Sequence, residues 1–486
     1  MYNKIQCLEL LKKSLNSSIA SFRENQWEAI EAIANKKAKV LVVERTGWGK
    51  STVYFLATKI LRDQGRGLTL IISPLLALMR NQIYFAEKLQ TKAASINSSN
   101  ITEWETIKKE VLDDNIDVLL ISPERLANDN FVKDVILPIS NKIGMFVINE
   151  AHCISDLGHD FRPDYKRINN IIRLMPESVP VLATTATAND RVVEDIKKQI
   201  GDQLIVQRGT LLRESIFLQC INMPLQSERL AWLSKHIPSL PGSGIVYVLT
   251  KKDALTVSSW LTKNEISALP YFGGIVNDKF KDSSDYRLYL EDQLLNNGVK
   301  VLVATTALGM GYDKPDLGFV IHYQAPSSII SYYQQVGRAG RAIKKSHGIL
   351  LHGKEDKEIH DFFINNSFPK ESWVSLILSK LEEIGEGSVI DLEKSINLKR
   401  GQIEKTLKYL SVRPPPPVIK INSKWNRTVN PYIHDINYIN RIKDQKIYEF
   451  EEVNKYINET RCRMTFLSEV LDDPSPFECG KCDIYR

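Results

Sequence analysis

Between residue 39 and about residue 187, short apolar, β-branched runs alternate with longer stretches in which apolar residues recur at helical spacing. The runs fall at 40–43, 68–72, 118–121, 145–148 and 181–183. A strand that is apolar on both faces is covered on both, which predicts a parallel sheet with helices on either side. The alternation returns from 244 to about 351, with runs at 245–248, 299–304, 319–322 and 349–351, and predicts a second lobe of the same kind. Residues 205–230 hold neither period and read as the connection, so the lobes are expected at 1–208 and 209–365.

After about residue 370 the texture changes. Trp373, Ile377, Leu381 and Ile384 fall on one helical face, 389–396 offers a second short helix, and Ile403, Leu407 and Leu410 mark a third. Four consecutive prolines from Pro414 end that helix, and 418–421 with 425–429 are expected to pair as a hairpin. Three short helices and a hairpin predict a winged helix over 366–430. From 431 a long polar helix is expected to carry Cys462 near its end, and a loop then leads to Cys479 and Cys482. The expected fold class is α/β, two parallel-sheet lobes followed by a winged helix and a small helical region over 431–486.

The chain has 486 residues, 43% of them apolar, and a net charge of +6, which allows an anionic partner without requiring one. Six cysteines are too sparse for a secreted disulfide scaffold, and three of them lie in the last 25 residues. That clustering points to a metal site in a reducing compartment. No apolar run approaches a membrane span and the amino terminus lacks the pattern of a signal peptide, so a soluble, intracellular protein is expected.

The sequence ERTGWGKS, Glu44 to Ser51, follows a strand and precedes a helix. A glycine turn there aims backbone N–H groups at phosphates: Thr46, Gly47 and Gly49 would shape the cradle, Lys50 would meet the β and γ phosphates, and Ser51 would hold Mg2+. An ordinary strand-to-helix turn is the competing reading. FVINEAH, Phe146 to His152, is an apolar strand ending in Asn149 and Glu150, the place of a metal-orienting residue and a general base, or else of a buried polar cluster. QQVGRAGR, Gln334 to Arg341, sets Arg338 and Arg341 three apart, on one face of a helical turn, where both could reach a γ-phosphate. Its alternative is a solvated basic turn.

In order and spacing these motifs resemble the superfamily-two helicases, and the RecQ family within them. The resemblance covers about 8–353 and resumes at about 438–483. It implies two RecA-like motor lobes, with ATP and Mg2+ between them. Arg23 and Gln26 in FRENQ resemble the adenine-recognising segment, and SPLLALMRNQ (73–82) and SPERL (122–126) the strand-gripping motifs. Thr185 to Thr187 match the segment that couples hydrolysis to lobe movement. ALGMGYDKP (307–315), with Gly311 and Asp313, is similar to the motif linking nucleotide to nucleic acid, and Gln334, Arg338 and Arg341 act from the second lobe. ISDLGHDFRPDY (154–165) resembles the aromatic-rich loop that senses single-stranded DNA, which assigns His159, Phe161 and Arg162 to the strand. Phe161 can stack on a base and Arg162 can pair a phosphate, next to the hydrolytic Glu150.

Several positions depart from the family. Asn149 stands where the family has Asp, keeping the shape but losing the charge that helps retain Mg2+. Leu157 replaces a Trp of the aromatic-rich loop, and Phe272 replaces a His. Cys462, Cys479 and Cys482 have the spacing of three zinc ligands, but Tyr485 stands in the place of the fourth, so Asp483, His434 or water would have to complete the site. Three free thiols are the alternative. From Glu393 to Thr428 there are nine Lys or Arg against two Asp or Glu, a local excess of +7. Lys399, Arg400, Lys405 and Lys408 on the third helix suit phosphate contacts with duplex or junction DNA, against a solvated basic face or a protein-docking domain. The resemblance implies an ATP-dependent 3′–5′ DNA helicase working in the nucleoid or nucleus. The competing reading is a nucleotide-gated DNA clamp that hydrolyses ATP negligibly because of Asn149. RNA remodelling fits less well, because the aromatic-rich loop resembles a DNA-directed family. The chain is expected to end without a further nucleic-acid-binding module.

Overall fold

The computed structural model describes residues 2–74, 76–97, 100–155, 165, 167–309, 312–413 and 415–485. They divide into two compact units, one of residues 1–356 with 452–486, the other of residues 357–451.

The first unit holds two parallel sheets. Among the described residues seven strands form the first: β1 (Lys39–Val43), β2 (Thr69–Ile72), β3 (Ala93–Ile96), β4 (Val118–Ile121), β5 (Met145–Asn149), β6 (Val181–Thr185) and β7 (Ile205–Arg208), in the order β3-β4-β2-β5-β6-β1-β7. Successive residues of a strand point to opposite faces, so Phe146 and Ile148 enter one apolar layer while Met145 and Val147 enter the other. That double burial is why the strands read as continuous apolar runs. The second sheet has β8 (Ile216–Asn222), β9 (Gly244–Tyr247), β10 (Ala268–Tyr271), β11 (Val301–Ala304), β12 (Phe319–His322) and β13 (Ser346–His352), in the order β10-β11-β9-β12-β13-β8. The stretch 205–230 is therefore more than a connection. It supplies the edge strand of each sheet, and 209–215 alone joins them.

Gly244 on β9 sits beside Phe319 on β12, and a Cβ there would lie 2.3 Å from the ring. Gly244→Ala is expected to destabilise the second sheet by about 1–3 kcal/mol through overpacking. Thermal unfolding checks this, and an unchanged midpoint would mean that Phe319 swings aside freely.

The second unit has helices Glu371–Ile384, Val389–Ser395 and Arg400–Ser411 around a core of Val374, Ile377, Leu381, Leu392, Ile403, Leu407 and Val418. Beside them lie three antiparallel strands, β14 (Glu386–Gly387), β15 (Val418–Ile421) and β16 (Lys424–Arg427), in the order β14-β16-β15. The expected separate region 431–486 is divided: the helix Ile436–Ile457 runs through the boundary between the units. Its early residue Tyr438 packs on Phe368 and under Arg413, whereas Tyr456 packs on Tyr332 of the second sheet's unit. Cys462 lies beyond this helix, as the N-cap of Arg463–Val470. No helix among the described residues is long and apolar enough to cross a membrane.

Candidate functional site

β1, β5 and β6 are neighbours in the first sheet, so the loops at their carboxyl ends converge where parallel sheets bind ligands. The first loop leaves β1 with the Glu44 N–H donating to Thr185 O (3.1 Å) and enters the helix Lys50–Asp63 through Gly47 (φ +78°) and Gly49 (φ +95°). Both glycines are in a conformation that other residues rarely adopt. Gly49 has a second constraint, because a Cβ there would lie 2.7 Å from Gln26 Nε2. That amide donates to Trp48 O (2.9 Å), and the Arg23 guanidinium donates to Gly47 O. The structure thus brings Arg23 and Gln26 to the loop. Lys50 Nζ donates to Glu44 O (2.6 Å) and Arg45 O (3.2 Å), closing the loop on itself, and burial brings its pKa down to about 8. Ser51 is half-buried in the first turn of the helix.

Asn149 ends β5. Its Oδ1 accepts from Thr184 Oγ1 (2.9 Å) and from the Glu150 N–H (3.2 Å). Glu150 has a left-handed backbone (φ +53°), and its Oε2 lies 3.4 Å from His152 Nδ1. His152 Nδ1 is also 2.8 Å from Thr185 Oγ1, so β5 and β6 are tied at the point where the general base is expected.

The second sheet contributes from the helix Ile329–Val336 and the turn after it. Gln334 Nε2 donates to Thr187 Oγ1 (2.8 Å) of the first lobe. The two arginines do not share a helical face: the helix ends at Val336, and Gly340 (φ +68°) turns the chain between them. Arg338 is buried on Tyr312 O (3.2 Å), whereas Arg341 pairs with Asp313 (2.6 Å) and lies over Gly47, where a Cβ would be 3.7 Å from its side chain. Asp313 therefore holds Arg341 in this structure.

Arg23, Arg45, Arg213 and Arg341 all line a cavity of about 580 Å³. Such a concentration of guanidinium groups suits a polyanion. Glu44 shares the cavity wall, and burial pushes its carboxyl up to about 7. A carboxyl so raised loses stability for the fold as pH climbs from the ordinary carboxylate range through 7, because the unfolded chain ionises more readily. Glu44→Gln should therefore gain in melting temperature on the parent between pH 5 and pH 8; a constant difference would show Glu44 to be ionised throughout.

Arg213 and Glu44 were not recognised in the sequence as site residues. Arg213 sits in the aperiodic stretch between the sheets and belongs to no motif. Gly311, His159, Phe161, Arg162 and Leu157 lie outside the described residues. The Phe272 ring lies 5.7 Å from Lys251 Nζ.

The sulfurs of Cys462, Cys479 and Cys482 all lie within 4.8 Å of one another, a donor set that fits a thiophilic ion. Asp483 does not complete it: one oxygen accepts from Arg463 Nε (2.6 Å), the other from Cys220 N–H (2.8 Å). His434 belongs to the other unit, where Nδ1 lies 2.9 Å from Tyr432 OH. Of the basic helix in that unit, Lys399 and Lys408 are exposed, Arg400 pairs with Glu404 (2.8 Å), and half-buried Lys405 donates to Asn366 O. The formal excess of +7 thus overstates the open charge on this face.

Two parallel sheets of this order, a glycine loop after β1 and an arginine turn facing it, define the two-lobed fold of the superfamily-two helicase class. Residues 23–196 match the DEAD/DEAH box helicase family and residues 228–343 the helicase conserved C-terminal domain. The chain is 34% identical over 379 residues to the probable ATP-dependent DNA helicase RecS of Bacillus subtilis, covering 76% of this chain and 73% of RecS. It belongs to the RecQ family of helicases. To the ATP-dependent DNA helicase RecQ of the same bacterium it is 33% identical over 72% of its own length, and it spans 57% of that relative. The fold is shared with Mss116p bound to single-stranded RNA and AMP-PNP, at a TM-score of 0.61 and 16% identity, over 97% of this chain and 92% of that one.

Proposed function

We propose that the chain is an ATP-dependent DNA helicase that moves 3′ to 5′ on single-stranded DNA and unwinds duplex. The observation that carries this reading is the approach of Arg341, from the second lobe, to Gly47 of the first lobe's glycine loop. It supports a charge-stabilising role for Arg341 at a phosphate cradle formed by the other lobe. Lys50 would leave its loop carbonyls for the β and γ phosphates, Glu150 would take the proton of the attacking water, and Arg341, with Arg338 behind it, would neutralise developing charge. Gln334 would report occupancy through Thr187, while Arg23 and Gln26 hold the base-proximal side. Mg2+, held by Ser51 and Asn149, would supply charge neutralisation on the phosphates. His159, Phe161 and Arg162 would take the strand.

Cys462, Cys479 and Cys482 would hold zinc as a structural cross-link. The second unit fits a winged helix, whose exposed Lys399 and Lys408, with Arg400 in exchange for its Glu404 pair, would touch DNA phosphates; Lys405 would act through Asn366 instead. With DNA as substrate, the protein would work inside the cell.

A second reading, a nucleotide-gated DNA clamp, is favoured by Asn149: its neutral amide already engages Thr184 and brings no charge to Mg2+. DNA-stimulated ATP turnover, measured for the chain and for Asn149→Asp, separates the two. We expect turnover to rise on restoring the carboxylate. Turnover found only in the variant would favour the clamp for the chain as it stands, equal turnover would remove the clamp, and no DNA stimulation in either would sink the helicase reading.

A further inference from the structure

Segment 209–215 joins the sheets, and its one arginine is 6% exposed. Arg213 Nη1 donates to Thr46 O (3.0 Å), Thr46 Oγ1 (2.8 Å) and Gly337 O (2.9 Å), and Nη2 donates to Ala339 O (2.8 Å). A single planar fork thus spans the glycine loop of the first lobe and the arginine turn of the second. The segment is itself held from several sides. Arg45 donates to Leu212 O (2.6 Å), Asp473 accepts from Leu211 N–H (2.6 Å), Ser215 donates to Gly340 O (2.6 Å), and Lys481 donates to Glu214 O.

Among the described residues the hydrogen-bond partners of Arg213 are neutral oxygens; besides the Tyr333 phenol, the groups that bear on it are the cations Arg341, Arg45 and Arg23. A buried guanidinium without a carboxylate, facing three more cations, is costly. Neutral donors would fasten the same carbonyls without that cost. An anion filling the cavity these arginines share would give the retained charge a counterpart.

We propose that Arg213 is a positioning residue for nucleotide turnover: it fastens the glycine loop to the arginine turn so that Lys50 and Arg341 engage one phosphate chain together. The proposal rests on the reading of the cavity as an ATP site. Lysine keeps the charge but not the fork, and glutamine keeps a donor but not the charge.

The test uses Arg213→Lys and Arg213→Gln in whichever background, the chain as given or Asn149→Asp, turns over ATP. Amide hydrogen exchange without nucleotide should quicken tenfold or more in both 44–50 and 337–341. With single-stranded DNA present, kcat should fall tenfold or more while KM for ATP stays within threefold, and Arg213→Lys should not rescue it. Unchanged exchange in both loops, or full turnover by Arg213→Lys, overturns the proposal. Should Arg213→Gln not fold, Arg213→Lys carries the test alone. Lys50→Ala is measured alongside: undiminished turnover there would mean that the cavity is not the ATP site, while the exchange measurement would still report on the fastening.

Discussion

Glu150→Gln is expected to bind nucleotide and to lose ATP turnover by about 10²–10⁴-fold, the range that a positioned general base contributes. Its neighbours would hold the carboxylate for that task. Its backbone is left-handed at the end of β5, and the side chain turns toward His152, which is itself anchored to Thr185 on β6. Glutamine keeps the shape and one acceptor oxygen but cannot accept a proton from water. Single-turnover hydrolysis and binding of a fluorescent ATP analogue, in the background that proves active, separate the two steps. Undiminished turnover would move the base elsewhere.

Arg341→Ala should cost about 10³–10⁵-fold in turnover, the range assigned to an arginine that stabilises transferring phosphoryl charge. Arg341 reaches the glycine loop from the other lobe, and Asp313 holds its Nη1 at 2.6 Å. Because that carboxylate would compete with phosphate for the same guanidinium, Asp313→Asn should have a much smaller effect. Equal losses in the two variants would show that the pair is structural, and an Arg341→Ala enzyme with normal kcat would exclude Arg341 from the transition state. Arg338, turned onto Tyr312 O, is expected to act on the same step less directly.

The elements themselves were legible along the chain because burial on both faces leaves a local mark: 40–43, 118–121 and 145–148 are strands in the structure and apolar throughout. The position of candidate residues directly after a strand was legible too, since parallel sheets put such loops at one edge: Lys50 follows β1, and Asn149 and Glu150 stand at the end of β5. The edge strands β7 and β8 escaped notice because several of their residues are half-exposed and break the apolar run.

Contacts between residues far apart in sequence carry no local period, and only the fold made them. Arg341 over Gly47, Gln334 on Thr187 and Arg213 on Thr46 join positions more than 140 residues apart, selected by which strands neighbour which. The fold likewise closed Lys50 on its own loop and tied Lys405 to Asn366. It also divided the helix Ile436–Ile457 between two units, because Tyr438 and Tyr456 each found an aromatic partner in a different one. A residue's type states what it can do. Whether its charge faces a cavity, a carboxylate or a carbonyl depends on neighbours that the chain brings in from elsewhere.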